Sequence, residues 1–259
     1  MDKFIFHKNS KVAYTDIGKG NTIVLLHGFL ENAMMWREIT TSLSHKNRVI
    51  CIDLLGHGNT ECIGYIHTMS DMAEAVKAVL KNLNINSFYI IGHSMGGYVS
   101  LAVTEKYPKK IKGICLLNSS AQSDSEERKK LRLRASKMAQ TNYKSLVKMS
   151  ISNLFSAQTS TQFATEIAEI KKQALQTPVQ GYIAATEGMR LRENKEAVLQ
   201  NVDKRLIIVG KNDSILNYHT IIEEANRTKT PFYELSGGHM SHIENKDELL
   251  KMLHKFIEN

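Results

Sequence analysis

Short apolar runs alternate with longer segments of helical periodicity along most of the chain. Several of the short runs are continuous blocks bounded by Gly, Asn or Asp, which is typical of strands covered on both faces. The segments that we predict as strands are Lys3–His7, Lys11–Asp16, Thr22–Leu26, Arg48–Asp53, Phe88–Gly92, Ile111–Asn118, Arg205–Gly210 and Phe232–Ser236. The first two are expected to pair as a hairpin. The pattern therefore predicts an α/β fold with a mostly parallel eight-stranded sheet flanked by helices.

Residues 122–200 interrupt this alternation. They contain no convincing strand and several helical patterns, one of which places Phe163 and Ile167 on the same face. We therefore expect a helical cap, inserted between two strands of a core that comprises residues 1–121 and 201–259.

Composition and charge exclude some classes of partner. The chain has 259 residues, of which 42% are hydrophobic, and this is enough for a substantial buried core. Its formal net charge is +8, but the dense basic run Arg128–Arg134 has no interleaved aromatic residues, so we expect no nucleic-acid partner. The three cysteines lack metal-like spacing, and no apolar stretch reaches the roughly 18 residues of a membrane span. With no signal-peptide pattern at the start, we expect a cytoplasmic protein without a transmembrane segment or a metal.

A serine lies in a glycine-rich turn between a predicted strand and a predicted helix. The sequence GHSMG occupies positions 92–96, directly after the apolar strand and before a helical pattern that ends at Pro108. A nucleophile held in such a tight turn requires small residues two positions away on either side, and the following helix directs backbone N–H groups at the same point. We therefore predict that Ser94 is a nucleophile, the alternative being an ordinary turn serine.

A serine hydroxyl is a weak nucleophile at neutral pH and needs a base to accept its proton. Among the ten histidines, His239 follows the last predicted strand and two glycines, which free the backbone there. His242, in the same loop, is the alternative base. Asp213 follows the strand Arg205–Gly210 and is predicted to orient the base, although it could instead cap the next helix.

Two backbone N–H groups are candidates for an oxyanion hole. One belongs to Met95, directly after the predicted nucleophile, and the other to Phe29 in the HGFL loop after the third predicted strand. The apolar side chains that are candidates for the substrate pocket are Phe29, Met34, Trp36, Met95, Phe155 and Met189. For each of these side chains the alternative is an ordinary place in the core.

Five motifs together resemble the α/β-hydrolase superfamily, and the likeness runs from about Val12 to the C-terminus. They are HGF at 27–29, DLLGHG at 53–58, GHSMGG at 92–97, GKND at 210–213 and GGHMSHIE at 237–244. The order Ser94, Asp213, His239 is also that of the family, and its histidine segment favours His239 over His242. The resemblance implies an esterase-like fold without a metal or organic cofactor, and a variable cap at the position of the helical insertion.

The family includes esterases, thioesterases, lipases and carbon–carbon bond hydrolases, so fold alone does not name the substrate. Our first hypothesis is a serine hydrolase that cleaves carboxylic esters with small to medium acyl groups through an acyl-enzyme. A thioesterase or a carbon–carbon bond hydrolase on the same triad is the alternative. A hydrolase-like ligand sensor with little turnover is a hypothesis from a different class.

The expected partner is a small-molecule ester or thioester, and the oligomeric state stays open. Residues 122–200 carry 13 Lys and Arg against 8 Asp and Glu, and attraction of anionic substrates or of an acidic membrane surface is one hypothesis for this excess. A solvated basic helix face is the alternative explanation of this excess.

Overall fold

The computed structural model describes residues 3–155 and 159–258. The strands are β1 (Lys3–His7), β2 (Ser10–Gly18), β3 (Asn21–Leu26), β4 (Asn47–Ile52), β5 (Phe88–His93), β6 (Ile111–Leu117), β7 (Arg205–Gly210) and β8 (Phe232–Leu235). They form one eight-stranded sheet in the order β1-β2-β4-β3-β5-β6-β7-β8. β2 pairs antiparallel with β1 and with β4, whereas the other neighbours are parallel. The predicted α/β fold with a mostly parallel eight-stranded sheet is confirmed.

The helices connect the strands and lie on both faces of the sheet. They are α1 (Arg37–Leu43), α2 (Met69–Asn82), α3 (Met95–Lys106), α4 (Glu126–Ser152), α5 (Ala164–Ala174), α6 (Val179–Arg190), α7 (Glu196–Gln200), α8 (Tyr218–Thr228), α9 (Ser241–Glu244) and α10 (Lys246–Glu258). The start of α2 shows why a helix begins where it does, because the Thr68 side chain accepts a hydrogen bond from the N–H of Asp71. No helix in the described part of the chain is long and apolar enough to span a membrane.

Two apolar layers cover the two faces of the sheet. Along β3, Val24 and Leu26 pack into the layer beneath α2 and α3, whereas Ile23 and Leu25 pack into the layer beneath α1 and α10. All four side chains are fully buried, and burial of each stabilises the fold by about 1.5–3 kcal/mol. Because both faces of the strand are covered, successive residues are all apolar, which explains the continuous hydrophobic pattern.

A helical segment lies between β6 and β7. It comprises α4 to α7, of which α4 is kinked at Asn142, where φ is −137° and ψ is 45°. α6 approaches the loop after β4 closely, since a Cβ atom on Gly181 would lie 2.3 Å from the carbonyl oxygen of Gly56. Glycine therefore allows the segment to rest directly on the core. Its limits as a separate cap, at residues 122 and 200, stay a prediction.

Candidate active site

Ser94 occupies a strained turn between β5 and α3. Its φ is 50° and its ψ is −115°, and its N–H donates a hydrogen bond to the carbonyl oxygen of Leu117 at 3.0 Å. A Cβ atom on Gly92 would lie 2.3 Å from the carbonyl carbon of Gly96, and one on Gly96 would lie 2.2 Å from the carbonyl oxygen of Leu26. Only glycine fits at these two positions, so the turn projects the serine side chain beyond the carboxyl end of the strand.

The structure brings Ser94, His239 and Asp213 together at the carboxyl ends of β5, β8 and β7. His239 Nε2 lies 2.9 Å from Ser94 Oγ, and His239 Nδ1 lies 2.7 Å from Asp213 Oδ2. Because the Nδ1–H donates to the carboxylate, Nε2 is left with a lone pair that accepts the serine proton. The arrangement is that of a nucleophile, a general base and an orienting carboxylate.

The carboxylate of Asp213 is fully buried and highly hydrogen-bonded. Its Oδ1 accepts from the N–H groups of Ile215 at 2.8 Å and Leu216 at 2.9 Å. Burial alone would raise the pKa of Asp213, but the neighbouring His239, together with further hydrogen bonds, lowers it below its usual value. The group is therefore ionised at neutral pH. It does not cap α8, whose N-cap is Asn217.

Asn118, which the sequence patterns did not single out, connects the acid and base loops. It directly follows β6 with a φ of 44°, and its Nδ2 donates to Asp213 Oδ2 at 3.0 Å and to the carbonyl oxygen of Gly238 at 3.1 Å. A polar residue at the end of a buried parallel strand, between the strands that carry the acid and the nucleophile, is the signal that could have identified it.

The loop that carries Phe29 is held by a buried histidine. The N–H of Leu54 donates to His27 Nε2 at 2.9 Å, so His27 Nδ1–H donates to the carbonyl oxygen of Gly28 at 2.7 Å. Phe29 then lies beside Ser94 in the wall of one cavity. Neither the N–H of Phe29 nor that of Met95 donates a hydrogen bond to another described residue. Both groups are therefore available to an external acceptor.

Comparison with known proteins agrees with this geometry. Residues 21–246 match the family model of the alpha/beta hydrolase fold. The chain belongs to the α/β-hydrolase family.

Three similar proteins illustrate the range of this hydrolase's relatives. A thermophilic esterase from Thermogutta terrifontis superposes with a TM-score of 0.92 at 26% identity, over 99% of this chain and 98% of that one. A putative non-heme haloperoxidase of Mycobacterium phage D29 is 31% identical over 112 residues, 43% of this chain and 40% of the relative. A 2-hydroxy-6-oxononadienedioate/2-hydroxy-6-oxononatrienedioate hydrolase of Escherichia coli K12 is 33% identical over 116 residues, 42% of this chain and 40% of the relative. The match to both curated relatives therefore spans less than half of their length.

A buried ion pair lies behind the cluster of Ser94, His239 and Asp213. Glu31 Oε2 accepts from the N–H of Gly28 at 2.6 Å and from His93 Nδ1–H at 2.8 Å, while His93 Nε2–H donates to the carbonyl oxygen of His239 at 2.9 Å. A ring that donates from both nitrogens is an imidazolium. Burial by itself would lower the pKa of His93, but the negative charge of Glu31 raises it above its ordinary value. Burial by itself would raise the pKa of Glu31, but the positive charge of His93 lowers it to about 2. The pair connects the loop of Phe29 with the loop of His239.

His242, the alternative base, lies behind His93 and not beside the serine. Its ring centroid is 5.5 Å from that of His93, and burial lowers its pKa to about 4. Glu31, His93 and His242 offer ligand atoms within 4.8 Å of one another. However, both nitrogens of His93 are already used, so a metal ion here would have to break the Glu31–His93 ion pair.

The triad opens into a cavity of about 350 Å³. Its described lining includes Phe29, Tyr98, Arg128, Leu131, Arg132, Leu146, Met149, Leu154, Tyr182, Met189 and Ile215, together with Ser94 and His239. A larger cavity of about 680 Å³ lies elsewhere, and its described lining contains no member of the triad. The smaller cavity is therefore the candidate site, because Ser94 and His239 line it.

Four of the expected pocket side chains require correction. Among the described residues that line the triad cavity, Met34, Trp36 and Phe155 are absent. Trp36 is fully buried in the layer beneath α1 and α10, Phe155 packs against Met240, and Met34 is exposed at another cavity. The side chain of Met95 is likewise buried in the core. Apolar character did not indicate which face of its element each side chain occupies.

Proposed function

We propose that this α/β-hydrolase cleaves carboxylic esters with small to medium acyl groups, with Ser94 as nucleophile, His239 as general base and Asp213 as orienting carboxylate. The observation that carries the proposal is the hydrogen-bond chain from Ser94 Oγ to His239 Nε2 at 2.9 Å and from His239 Nδ1 to Asp213 Oδ2 at 2.7 Å. Ser94, at one end of this series of hydrogen bonds, lies in the wall of a mostly apolar cavity of about 350 Å³, which suits an acyl group of moderate size.

In the first half of the reaction, Ser94 Oγ attacks the ester carbonyl as its proton passes to His239 Nε2. The N–H groups of Phe29 and Met95 stabilise the oxyanion, and losing one such donor raises the barrier by about 2.7–4 kcal/mol. The imidazolium of His239 then protonates the leaving alkoxide. Asp213 keeps the imidazole in the required tautomer and stabilises its charged form.

In the second half, water takes the place of the alcohol. His239 removes a proton from the water, the hydroxide attacks the acyl-enzyme carbonyl, and the proton returns to Ser94 Oγ as the carboxylic acid leaves. Each step uses the same three side chains, so the same substitutions should affect both halves.

A second candidate is cleavage of a carbon–carbon bond on the same triad. The relative from Escherichia coli K12, at 33% identity over 116 residues, supports it. The esterase from Thermogutta terrifontis favours ester cleavage instead, because that similarity extends over 99% of this chain.

The test is active-site labelling combined with ester turnover. Wild type, Ser94→Ala and the control Ser123→Ala, which alters an exposed serine, are incubated with a fluorophosphonate and analysed by mass spectrometry. The same proteins are assayed on p-nitrophenyl esters from acetate to octanoate. We expect labelling at residue 94 in wild type and in the control, and a fall in kcat of about a millionfold in Ser94→Ala.

Two results would count against the proposal. Near wild-type turnover by Ser94→Ala would exclude this serine as the nucleophile. Stoichiometric labelling without any multiple turnover would favour the ligand sensor, and turnover of a vinylogous 1,5-diketone in place of all esters would favour the carbon–carbon bond hydrolase.

A further inference from the structure

Among the residues that the structure describes, one cation in the wall of the cavity beside Ser94 forms no ion pair. Arg128, in the first turn of α4, lines the same cavity as Ser94 and is half-buried. In the described ranges, its guanidinium forms no ion pair and no side-chain hydrogen bond. Its five N–H donors are therefore unused by the part of the chain that the structure describes.

The neighbouring guanidiniums are neutralised in a different way. Arg132 and Arg192 both bind the carboxylate of Asp124, Arg192 through a contact of 2.6 Å between Nη1 and Oδ1. Arg192 also lies 3.9 Å above the ring of Tyr98, which lines the cavity. Among the described residues, two guanidiniums thus share this carboxylate, and Arg128, the third guanidinium in the group, forms no ion pair with it.

Two further carboxylates near this wall are paired with cations other than Arg128. Glu126, on the same turn of α4, pairs with Lys129 at 2.8 Å, and Glu31, which also lines the cavity, is held by His93. Burial lowers the pKa of Arg128, and the positive charge of Arg132 lowers it further, whereas the negative charge of Asp124 acts in the opposite direction. The guanidinium itself remains charged at neutral pH.

A half-buried charge without a partner destabilises the fold unless a ligand neutralises it. We propose that Arg128 binds an anionic group of the substrate, so that the ester cleaved at Ser94 carries a carboxylate or a phosphate separated from the scissile carbonyl by an apolar segment. The planar guanidinium matches both anions through paired N–H donors. The apolar lining, including Leu131, Met149 and Met189, accommodates the segment between the two groups. This inference rests on the proposed function.

The test compares two esters of the same length. The p-nitrophenyl monoester of adipic acid and p-nitrophenyl hexanoate differ only in a terminal carboxylate against a methyl group, and a 6-phosphonohexanoate ester supplies the phosphate-like arm. The variants are Arg128→Gln, Arg128→Lys and the control Lys130→Gln, which removes an exposed charge of the same helix outside the cavity lining.

We expect wild type to prefer an anionic ester over hexanoate in kcat/KM. This preference should fall about tenfold to a hundredfold in Arg128→Gln, which is the range for losing a charge-assisted hydrogen bond. It should fall less in Arg128→Lys and stay within twofold in Lys130→Gln. The larger effect on the carboxylate or on the phosphonate ester identifies the anion.

Failure of this inference and failure of the proposed function give different results. Two outcomes would overturn the anion site alone. One is turnover that depends on Ser94 but shows no preference for either anionic ester. The other is a preference for an anionic ester that Lys130→Gln lowers as much as Arg128→Gln does. If wild type turns over neither ester, calorimetry with monomethyl adipate, which is an anion, and methyl hexanoate, which is neutral, decides the question. Monomethyl adipate binding that weakens about tenfold in Arg128→Gln supports the site, and equal binding of the anionic and the neutral compound refutes it.

Discussion

The Glu31–His93 pair provides a sharp test of how the active-site loops are held. The substitution Glu31→Gln keeps the shape of the side chain and an oxygen that can accept from the N–H of Gly28, but it removes the negative charge beside the His93 imidazolium. His93 then loses its counter-ion while its other nitrogen still faces the carbonyl oxygen of His239.

The size of the effect follows from the acidity of the carboxyl group. Its pKa is about 2, against an ordinary value of 4.5, and each pH unit of difference corresponds to about 1.36 kcal/mol. The ionised form therefore stabilises the native state by about 3 kcal/mol, which agrees with the 3–5 kcal/mol that breaking a buried pair typically costs. Since the folded pKa is depressed, this stabilisation is fully present above pH 4.5 and is lost as the pH falls toward 2.

The assay is urea unfolding at pH 7, with turnover of p-nitrophenyl butyrate measured on the same samples. We expect Glu31→Gln to lower the free energy of unfolding by about 3 kcal/mol. The kcat should fall about tenfold to a hundredfold, because small displacements of His239 weaken its alignment with Ser94. The control Glu38→Gln removes an exposed carboxylate that pairs with Lys246 and should change stability by less than about 0.5 kcal/mol.

A double-mutant cycle separates the pair from its surroundings. In a His93→Asn background the cation is already absent, so Glu31→Gln should destabilise far less than it does in wild type. An equal loss in both backgrounds, or a loss below about 1 kcal/mol in wild type, would refute the assignment of a buried ion pair.

Two other predictions follow from the buried titratable groups. Asp213→Asn should lower kcat on p-nitrophenyl butyrate about ten-thousandfold with the fold retained, because the amide favours the wrong tautomer of His239; a loss below tenfold would contradict the role given to Asp213. Burial lowers the pKa of His57 to about 3 and that of His242 to about 4, from 6.5, so the unfolded chain binds protons first as the pH falls. The free energy of unfolding should therefore decline below pH 6.5 by up to about 1.4 kcal/mol per pH unit for each ring. The decline should be less steep in His242→Gln. A free energy of unfolding that stays constant between pH 6.5 and 4.5 would contradict this account.

The strands could be predicted from the sequence because their burial on two faces leaves a local signal. The expected Thr22–Leu26 differs from β3 by one residue at its start, and the expected Arg48–Asp53 is shifted from β4 by one residue at both ends. The expected Ile111–Asn118 extends one residue too far, since Asn118 turns to a φ of 44° and leaves the sheet to bind Asp213. The end of β6 therefore differs from the expected one because the Asn118 side chain binds Asp213 outside the sheet.

The sequence also singled out the three residues of the proposed triad, because each follows a strand and glycines lie close to Ser94 and His239. Glu31, His93 and Asn118 were not identified, since their contacts join loops that are distant in the chain. Trp36 was misplaced because hydrophobicity does not tell which of the two apolar layers a side chain enters. The places of these side chains depend on contacts between residues that are distant in the chain, and local composition carries no information about such contacts.

Under the proposed function, chemistry and substrate choice come from different parts of the chain. Ser94, Asp213 and His239 follow strands of the sheet, whereas Arg128, Met149 and Met189, which shape the cavity, belong to helices α4 and α6 of the inserted segment. The two parts meet where the N–H of His239 donates to the carbonyl oxygen of Leu154 at 3.1 Å. Substitutions in the sheet-borne loops should therefore change kcat for every ester, while substitutions at Arg128 should change the ranking of esters. Because these two signatures differ, the nucleophile and the anion site can be tested in one set of kinetic measurements.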